Sequence, residues 1–129
     1  MSVPPHVDVL VVEDDRLVSE LLVHALHAAQ LTTDVAGDLL EAKRLLARGD
    51  YRILVLDLLL PGGTGFDLMD FIKSGKLLHP QIIVVTAADA SLLTRLDRSL
   101  VKSVMFKPLD VQHFLAAVRS LLAAQPAHT

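Results

Sequence analysis

The sequence predicts a doubly wound α/β domain, in which helices cover both faces of a five-stranded parallel sheet. The main observation is that five short apolar runs alternate strictly with five amphipathic stretches along the 129 residues. Strands separated by helices pair in parallel through right-handed crossovers. A second observation is the hydrophobic content of 52% without any cysteine. A chain of this length buries roughly two thirds of its unfolded surface in one domain, so no disulfide or metal is needed for folding.

The strands are predicted from runs rich in Val and Ile or bounded by turn residues. They fall at residues 7–12, 32–36, 53–56, 82–86 and 103–106. The first, third and fourth runs are almost wholly apolar, as is typical of strands buried on both faces. The second and fifth are mixed or short, as is typical of edge strands. Three inner and two outer strands predict the order 2-1-3-4-5.

The helices are predicted from apolar residues at helical spacing. Asp38 can cap the second helix and Gly49 can end it, while Gly75 can end the third and Asp110 can cap the fifth. The third helix follows a turn with the sequence PGGTG, at 61–65. The apolar stripes of the first, fourth and fifth helices are Leu17, Leu21, Leu22, Ala25 and Leu26; Leu92, Leu93, Leu96 and Leu100; and Val111, Phe114, Leu115, Val118, Leu121 and Leu122.

Residues 7–124 are expected to form the single domain. Residues 1–6 would be an N-terminal tail, and 125–129 a C-terminal tail or the start of a linker. The apolar runs are too short to cross a membrane, and the N-terminus lacks the pattern of a secretory signal. We therefore expect a cytoplasmic protein. A net charge of −3 without any Lys/Arg run argues against a nucleic-acid surface.

One carboxylate lies inside the apolar run RILVLDLLLPGG, at 52–63. Such a charge costs several kcal/mol in an apolar interior unless it is paired. In doubly wound sheets, ligands bind beyond the carboxyl ends of the strands where the strand order reverses, here between strands one and three. The polar residues predicted at this edge are Glu13, Asp14, Asp15, Asp57, Thr86 and Lys107.

Each of these residues has an ordinary structural explanation when taken alone, for example Asp14 or Asp15 as a helix cap. Together they are chemically complementary. Converging carboxylates repel one another unless a cation lies between them, and ligation by oxygen atoms alone suits Mg²⁺. With the ammonium of Lys107 and the hydroxyl of Thr86, the set suits an aspartate, Asp57, that attacks a phosphoryl group.

The motifs VLVVEDD, LVLDLLLPGGTG, IIVVTA and KP closely resemble the receiver domain of bacterial two-component response regulators, over roughly residues 7–124. The resemblance implies a (βα)5 flavodoxin-like receiver fold. It also implies that the protein is a signalling switch and not an enzyme. Such a switch catalyses only its own phosphorylation and its own slow dephosphorylation. Asp57 would receive the phosphoryl group from a sensor histidine kinase or a histidine phosphotransfer protein. The resemblance further implies a downstream effector or a phosphatase as a partner, and a homodimer that forms on phosphorylation. Neither nucleic acid nor a membrane is expected to bind these residues.

The resemblance also implies a role for each residue around the phosphoacceptor. Glu13 and Asp14 would hold Mg²⁺, for which Mn²⁺ could substitute, together with the phosphoacceptor carboxylate. Leu59 would offer its backbone carbonyl to the metal. Thr86 would be the switch hydroxyl, and Lys107 would bind the phosphate.

The sequence departs from the family pattern at several positions. Val104 stands where the family usually has an aromatic residue, although Phe106 lies on the same face of the predicted strand. Phosphorylation is therefore expected to move the switch hydroxyl without a large ring rotating behind it, unless Phe106 substitutes. In the family, residues matching Leu59 and Ala88 can orient the water that hydrolyses the acyl phosphate. Neither offers a hydrogen bond here, so slow hydrolysis is expected.

Four other functions are compatible with a carboxylate at this edge of the sheet or with an α/β fold. A haloacid-dehalogenase-like phosphatase would need a second aspartate where Leu59 stands, and a flavin site would suffer repulsion from the acidic EDD segment, 13–15. Nucleotide-binding motifs are absent from the sequence. The remaining alternative, a pseudo-receiver interaction module that is not phosphorylated, would be expected to have lost Asp14, Asp57 or Lys107, and all three are present.

Two further clusters are read as ordinary features of helices. The two helical histidines, His24 and His27, have no further metal ligand in evident reach. Arg95 and Arg98 lie off the leucine stripe of the predicted fourth helix, where they could meet an acidic partner, although a solvated surface is the favoured interpretation.

Overall fold

The computed structural model describes residues 6–75 and 79–124. Residues 1–5 and 125–129, which make up most of the two predicted tails, lie outside this description, as do 76–78. The helices are α1 (Arg16–Ala28), α2 (Leu39–Arg48), α3 (Gly65–Ser74) and α4 (Val111–Ala124), with a short 3₁₀ helix at Ala90–Arg95. The strands are β1 (Val9–Val12), β2 (Thr33–Ala36), β3 (Ile53–Leu56), β4 (Leu59–Leu60), β5 (Gly63–Thr64), β6 (Gln81–Thr86) and β7 (Val101–Phe106).

The main sheet has five parallel strands in the order β2-β1-β3-β6-β7. This confirms the predicted order, because β4 and β5 form a separate two-stranded antiparallel hairpin. The hairpin begins at Leu59, two residues before the predicted PGGTG turn. Gly62, at the tip of the hairpin, has a φ of +85°, which glycine adopts readily. Strand β7 begins two residues before the predicted start and pairs with β6 through a register shift.

The core lies on both faces of the sheet because side chains alternate along each strand. Helices α2 and α3 cover one face, and the buried side chains there include Leu10, Leu54, Leu56, Ile82, Val84, Leu46 and Leu68. Helices α1 and α4 cover the other, where the buried side chains include Val9, Val11, Val55, Ile83, Leu22, Leu26 and Phe114. No helix among the described residues is long and apolar enough to cross a membrane.

Side-chain caps begin the helices where the sequence indicates them. Asp15 accepts hydrogen bonds from the first turn of α1, and Asp38 caps α2. Asp110 accepts the N–H of His113 in the first turn of α4. Thr64, which the sequence analysis did not single out, forms a capping box with Asp67 at the start of α3.

The connection between β6 and β7 corrects the prediction of a fourth amphipathic helix. Only Ala90–Arg95 is helical, as 3₁₀ turns, and none of its residues is buried. The backbone is already extended at Leu96. Asp97 then accepts both the N–H and the hydroxyl of Ser99 through its side chain, and the N–H of Leu100 through its carbonyl. The side-chain bonds between Asp97 and Ser99 favour a local turn over helical bonds, and no helix resumes before Leu100.

Candidate functional site

Asp57 lies at the carboxyl end of β3 and is only 5% exposed. Its Oδ1 accepts hydrogen bonds from the N–H of Leu59 and the hydroxyl of Thr86, each over 3.1 Å. Its Oδ2 accepts one from Nζ of Lys107 over 2.9 Å. Both carboxylate oxygens therefore have partners, which is how the charge is tolerated among aliphatic neighbours.

Glu13, which follows β1, is also buried. Its Oε2 accepts the N–H of Asp15 over 3.1 Å, and its Oε1 lies 2.5 Å from Nζ of Lys107. That Oε1 is fully buried and makes no hydrogen bond of good geometry. Burial raises the pKa of the Glu13 carboxyl, while Lys107 and the Asp15 N–H act in the opposite direction.

Lys107 thus bridges the two buried carboxylates. Burial alone would lower the pKa of its ammonium, but the contacts with Glu13 and Asp57 outweigh burial and raise that pKa. The lysine therefore keeps its charge. Its backbone N–H donates to the carbonyl of Thr86 over 2.9 Å, which ties the end of β7 to the end of β6.

The two aspartates after Glu13 have different surroundings. Asp15 caps α1 with its side chain, which leaves Asp14 exposed at the edge of the pocket. Carboxylate oxygens of Glu13, Asp14 and Asp57 lie within 4.8 Å of one another, and this is the one such cluster among the described residues that could hold a metal ion.

A divalent cation of the Mg²⁺ type fits these donors. Three carboxylates face a single ammonium in the pocket, so a further positive charge would relieve their repulsion. The donors are all hard oxygen atoms, which suit Mg²⁺.

Thr86 lies at the end of β6 and is completely buried. Its hydroxyl donates to Asp57 and accepts the N–H of Ala88 over 3.0 Å. The side chain therefore connects the phosphoacceptor candidate to the start of the β6–β7 connection. The sequence had identified the hydroxyl but not its bond to Ala88.

Gly65, the first residue of α3, also shapes the site. A Cβ at this position would lie 2.8 Å from the carbonyl oxygen of Asp57 and 3.0 Å from Cα of Leu58. Only glycine lets α3 approach so closely to the segment that carries Asp57. The sequence predicts this glycine only as part of a turn, and the PGGTG pattern is the signal for it.

The positions expected to carry the aromatic switch lie on one side of β7. Val104 is partly buried against the core, whereas Phe106 is 46% exposed. Both line a cleft of about 310 Å³ between β7 and the 3₁₀ helix. Movement of Phe106 in step with Thr86 remains a prediction.

All the predicted site residues are brought to one edge of the sheet. Thr86, Lys107 and the N–H of Leu59 contact Asp57 directly, and Glu13 and Asp14 complete the acidic cluster. The pseudo-receiver alternative, which predicted the loss of one of these groups, has no support. His27 instead contacts Thr33 on β2, with 3.0 Å between Nε2 and Oγ1.

Comparison with protein families gives a match between residues 9–119 and the family described as "Response regulator receiver domain". Among curated proteins, the chain is 32% identical over 115 residues to the transcriptional regulatory protein PmrA of Pectobacterium parmentieri, covering 88% of this chain and 51% of that protein. It is 30% identical over 122 residues to TcrA of Mycobacterium tuberculosis, covering 93% and 47%. The chain thus spans about half the length of these curated relatives.

Solved structures give the same architecture. The response regulator TrrA from Thermotoga maritima, in complex with Mg²⁺-BeF, has a TM-score of 0.78 and 25% identity, covering 89% of this chain and 98% of that one. A signal receiver domain from Bermanella marisrubri has a TM-score of 0.81, covering 92% and 99%. At 24% identity, that second likeness supports the fold alone.

Proposed function

Because this chain belongs to the response regulator receiver domain family, a family of signalling switches in two-component systems, we propose that Asp57 is its phosphoacceptor. The observation that carries the proposal is the pairing of the buried Asp57 carboxylate with the Thr86 hydroxyl and the Lys107 ammonium. These are the two donors that a phosphoryl group on this carboxylate would need. The acidic cluster beside them supplies the ligands for a metal.

In the proposed reaction, a carboxylate oxygen of Asp57 attacks the phosphorus of a phosphohistidine. An O–P bond forms and the N–P bond breaks, and the electron pair of that bond leaves with the imidazole nitrogen. Lys107 moves from Asp57 Oδ2 to a phosphoryl oxygen, and Thr86 donates to another. Both groups stabilise charge on the equatorial oxygens, which is the main requirement of phosphoryl transfer.

Receiver domains bind Mg²⁺ at an acidic pocket, and we propose that Glu13, Asp14 and Asp57 do so here, with the backbone carbonyl of Leu59. When bound, Mg²⁺ would supply positive charge for the phosphoryl oxygens; Mn²⁺ could substitute for it. The complex of TrrA with Mg²⁺-BeF supports this proposal by likeness.

A sensor histidine kinase or a histidine phosphotransfer protein is the proposed donor. The curated relatives are transcriptional regulators about twice the length of this chain. The receiver, proposed to span residues 7–124, would therefore control an effector, whether joined to it or separate. Homodimerisation on phosphorylation and an external phosphatase belong to the same proposal.

The test is incubation with acetyl phosphate and Mg²⁺, followed by intact-mass analysis. We expect one acid-stable, base-labile phosphoryl group per chain, and none in Asp57→Asn. Asp50→Asn is the matched control, because Asp50 is an exposed aspartate outside the site. Undiminished labelling of Asp57→Asn would overturn the assignment, as would the absence of labelling in the parent.

A further inference from the structure

The connection between β6 and β7 is anchored in the hydrophobic core at its two ends, by Ala88 and Leu100, but is poorly buried between them. No residue of its 3₁₀ helix, Ala90–Arg95, is buried. Leu92 and Leu96 are only partly buried against the core. The cleft of about 310 Å³ separates the connection from β7 and is lined in part by Leu93, Val104 and Phe106. Because little apolar surface is buried between the two ends, polar contacts contribute to holding the middle of this segment in place.

Two contacts attach the connection to α3. Nζ of Lys73 lies 2.5 Å from Oδ2 of Asp97. The guanidinium carbon of Arg95 lies 4.3 Å from the ring centroid of Phe66, within cation–π range. Phe66 and Lys73 lie at opposite ends of α3. We call this pair of contacts the α3 clamp.

A series of side-chain hydrogen bonds, linked by the chain itself, joins the clamp to the phosphoacceptor. The Thr86 hydroxyl, bonded to Asp57, accepts the N–H of Ala88. Asp89 follows directly and caps the 3₁₀ helix by accepting the N–H of Ser91, and that helix ends at Arg95. The geometry of the Thr86 hydroxyl is therefore coupled to a segment that is anchored on α3.

We propose that the α3 clamp holds the β6–β7 connection in the arrangement that keeps the Thr86 hydroxyl on Asp57. Phe66, Lys73, Arg95 and Asp97 are thus positioning residues for phosphoryl transfer. The proposal rests on the proposed function in assigning Thr86 to the phosphoryl group. A contact that forms in only one conformation of the connection stabilises that conformation. Loss of the contact therefore lowers the apparent affinity for any ligand that binds only to that conformation.

The direct test is amide hydrogen exchange by NMR. The Ala88 N–H reports on the bond to the Thr86 hydroxyl. The Lys107 N–H, which donates to the Thr86 carbonyl, serves as an internal reference for the sheet. We expect the exchange rate of the Ala88 N–H, relative to that of Lys107, to rise roughly threefold in Lys73→Met. It should rise roughly tenfold in Lys73→Met/Arg95→Met, because each partly exposed contact contributes only a small stabilisation.

Two controls separate the clamp from general surface charge. Lys73→Arg keeps a cation for Asp97 and should behave like the parent. Glu20→Gln breaks the exposed Arg16–Glu20 ion pair of α1, which packs on the opposite face of the sheet from α3, and should also leave Ala88 unchanged. Equal exchange at Ala88 in the parent and the double variant would overturn the proposal.

Beryllofluoride binding in the presence of Mg²⁺ connects the clamp to the phosphoryl site. We expect the double variant to bind this phosphoryl mimic roughly tenfold more weakly than the parent, following the same coupling. Unchanged binding in a variant with faster exchange at Ala88 would reject the positioning role. If the parent neither binds beryllofluoride nor accepts phosphate, the proposed function fails, while exchange at Ala88 still decides whether the clamp holds Thr86.

Discussion

The hydroxyl of Thr86 donates to Oδ1 of Asp57 over 3.1 Å and accepts the N–H of Ala88 over 3.0 Å, so one buried group serves the carboxylate and the backbone together. Replacing it removes both bonds. Thr86→Val, which keeps the shape of the side chain, leaves the Ala88 N–H without a partner. We expect it to lower the free energy of unfolding by about 1–2 kcal/mol and to slow labelling by acetyl phosphate.

Thr86→Ser is the control for this variant because it keeps the hydroxyl. Urea unfolding measures the stability, and intact-mass analysis measures the labelling rate. If Thr86→Val labels as fast as Thr86→Ser, the hydroxyl has no part in phosphoryl transfer.

Gly65→Ala should destabilise the protein and disturb the site. The new Cβ would lie 2.8 Å from the carbonyl oxygen of Asp57, so α3 and the segment carrying Asp57 must separate. We expect a loss of about 1–3 kcal/mol in the free energy of unfolding and slower labelling. Gly37→Ala is the matched control, since no atom lies within 4 Å of a Cβ there. Equal stability of the two variants would contradict the close approach of α3.

Asp14 and Asp15 are neighbours with different expected roles. Asp15→Ala removes the cap of α1 and should cost about 1 kcal/mol of stability. Asp14→Ala removes an exposed member of the acidic cluster. It should leave the metal-free protein as stable as the parent, or slightly more so because carboxylate repulsion falls. Labelling in Mg²⁺ should be abolished in Asp14→Ala.

Thermal unfolding without metal and labelling with metal measure the two effects separately. Chelation of Mg²⁺ in the parent should reproduce the labelling defect of Asp14→Ala without unfolding the domain. A large fall in Tm for Asp14→Ala would show that this residue is mainly structural.

The Lys73–Asp97 ion pair predicts a pH dependence of stability. Lys73, and then the Ser99 hydroxyl and N–H, lower the pKa of Asp97 below its ordinary 3.8. The stabilisation from this carboxylate is therefore fully present above pH 3.8 and is lost as the pH falls through the lowered pKa. We expect Asp97→Asn to be less stable than the parent at neutral pH. The difference should shrink on acidification below pH 3.8.

Unfolding by urea across this pH range measures the difference. Asp50→Asn, at an exposed site, should show no such convergence. If the difference in free energy of unfolding between the parent and Asp97→Asn stays constant as the pH is lowered, the ionised carboxylate does not stabilise the protein.

The acyl phosphate is expected to be long-lived. Leu59, whose N–H bonds to Asp57, is 52% exposed, and Ala88 is buried. Neither side chain can hold a water in line with the bond to phosphorus. Orienting an attacking water changes rates by orders of magnitude, so Leu59→Asn/Ala88→Glu should lose phosphate roughly tenfold faster than the parent.

The measurement is the decay of the phosphorylated mass after the donor is removed. Leu40→Asn, which places the same polar group at an exposed leucine of α2, is the matched control and should decay like the parent. If the polar double variant decays no faster than the parent, these two positions do not set the lifetime.

The sequence by itself determined the sheet and the chemistry at its edge. The strand order follows from which runs are apolar on both faces, and the caps at Asp38 and Asp110 follow from local side-chain preferences. The meeting of Asp57, Thr86 and Lys107 follows from topology alone, because parallel strands end at one edge. Such features depend on periodicity and connection, which can be read along the chain.

The tertiary structure alone decided how the β6–β7 connection is built. Its leucine spacing favours a helix, but the helix ends at Arg95. Asp97 then accepts bonds from Ser99 in a local turn, and Lys73 pairs with Asp97 from α3. The sharing of Lys107 between Glu13 and Asp57, and the approach of Gly65 to Asp57, were likewise invisible in the sequence. The contacts of Lys107 and of Gly65 join residues that are distant in the chain, so they depend on how the elements pack. The end of the 3₁₀ helix depends on a balance between competing local bonds, which tertiary contacts can shift.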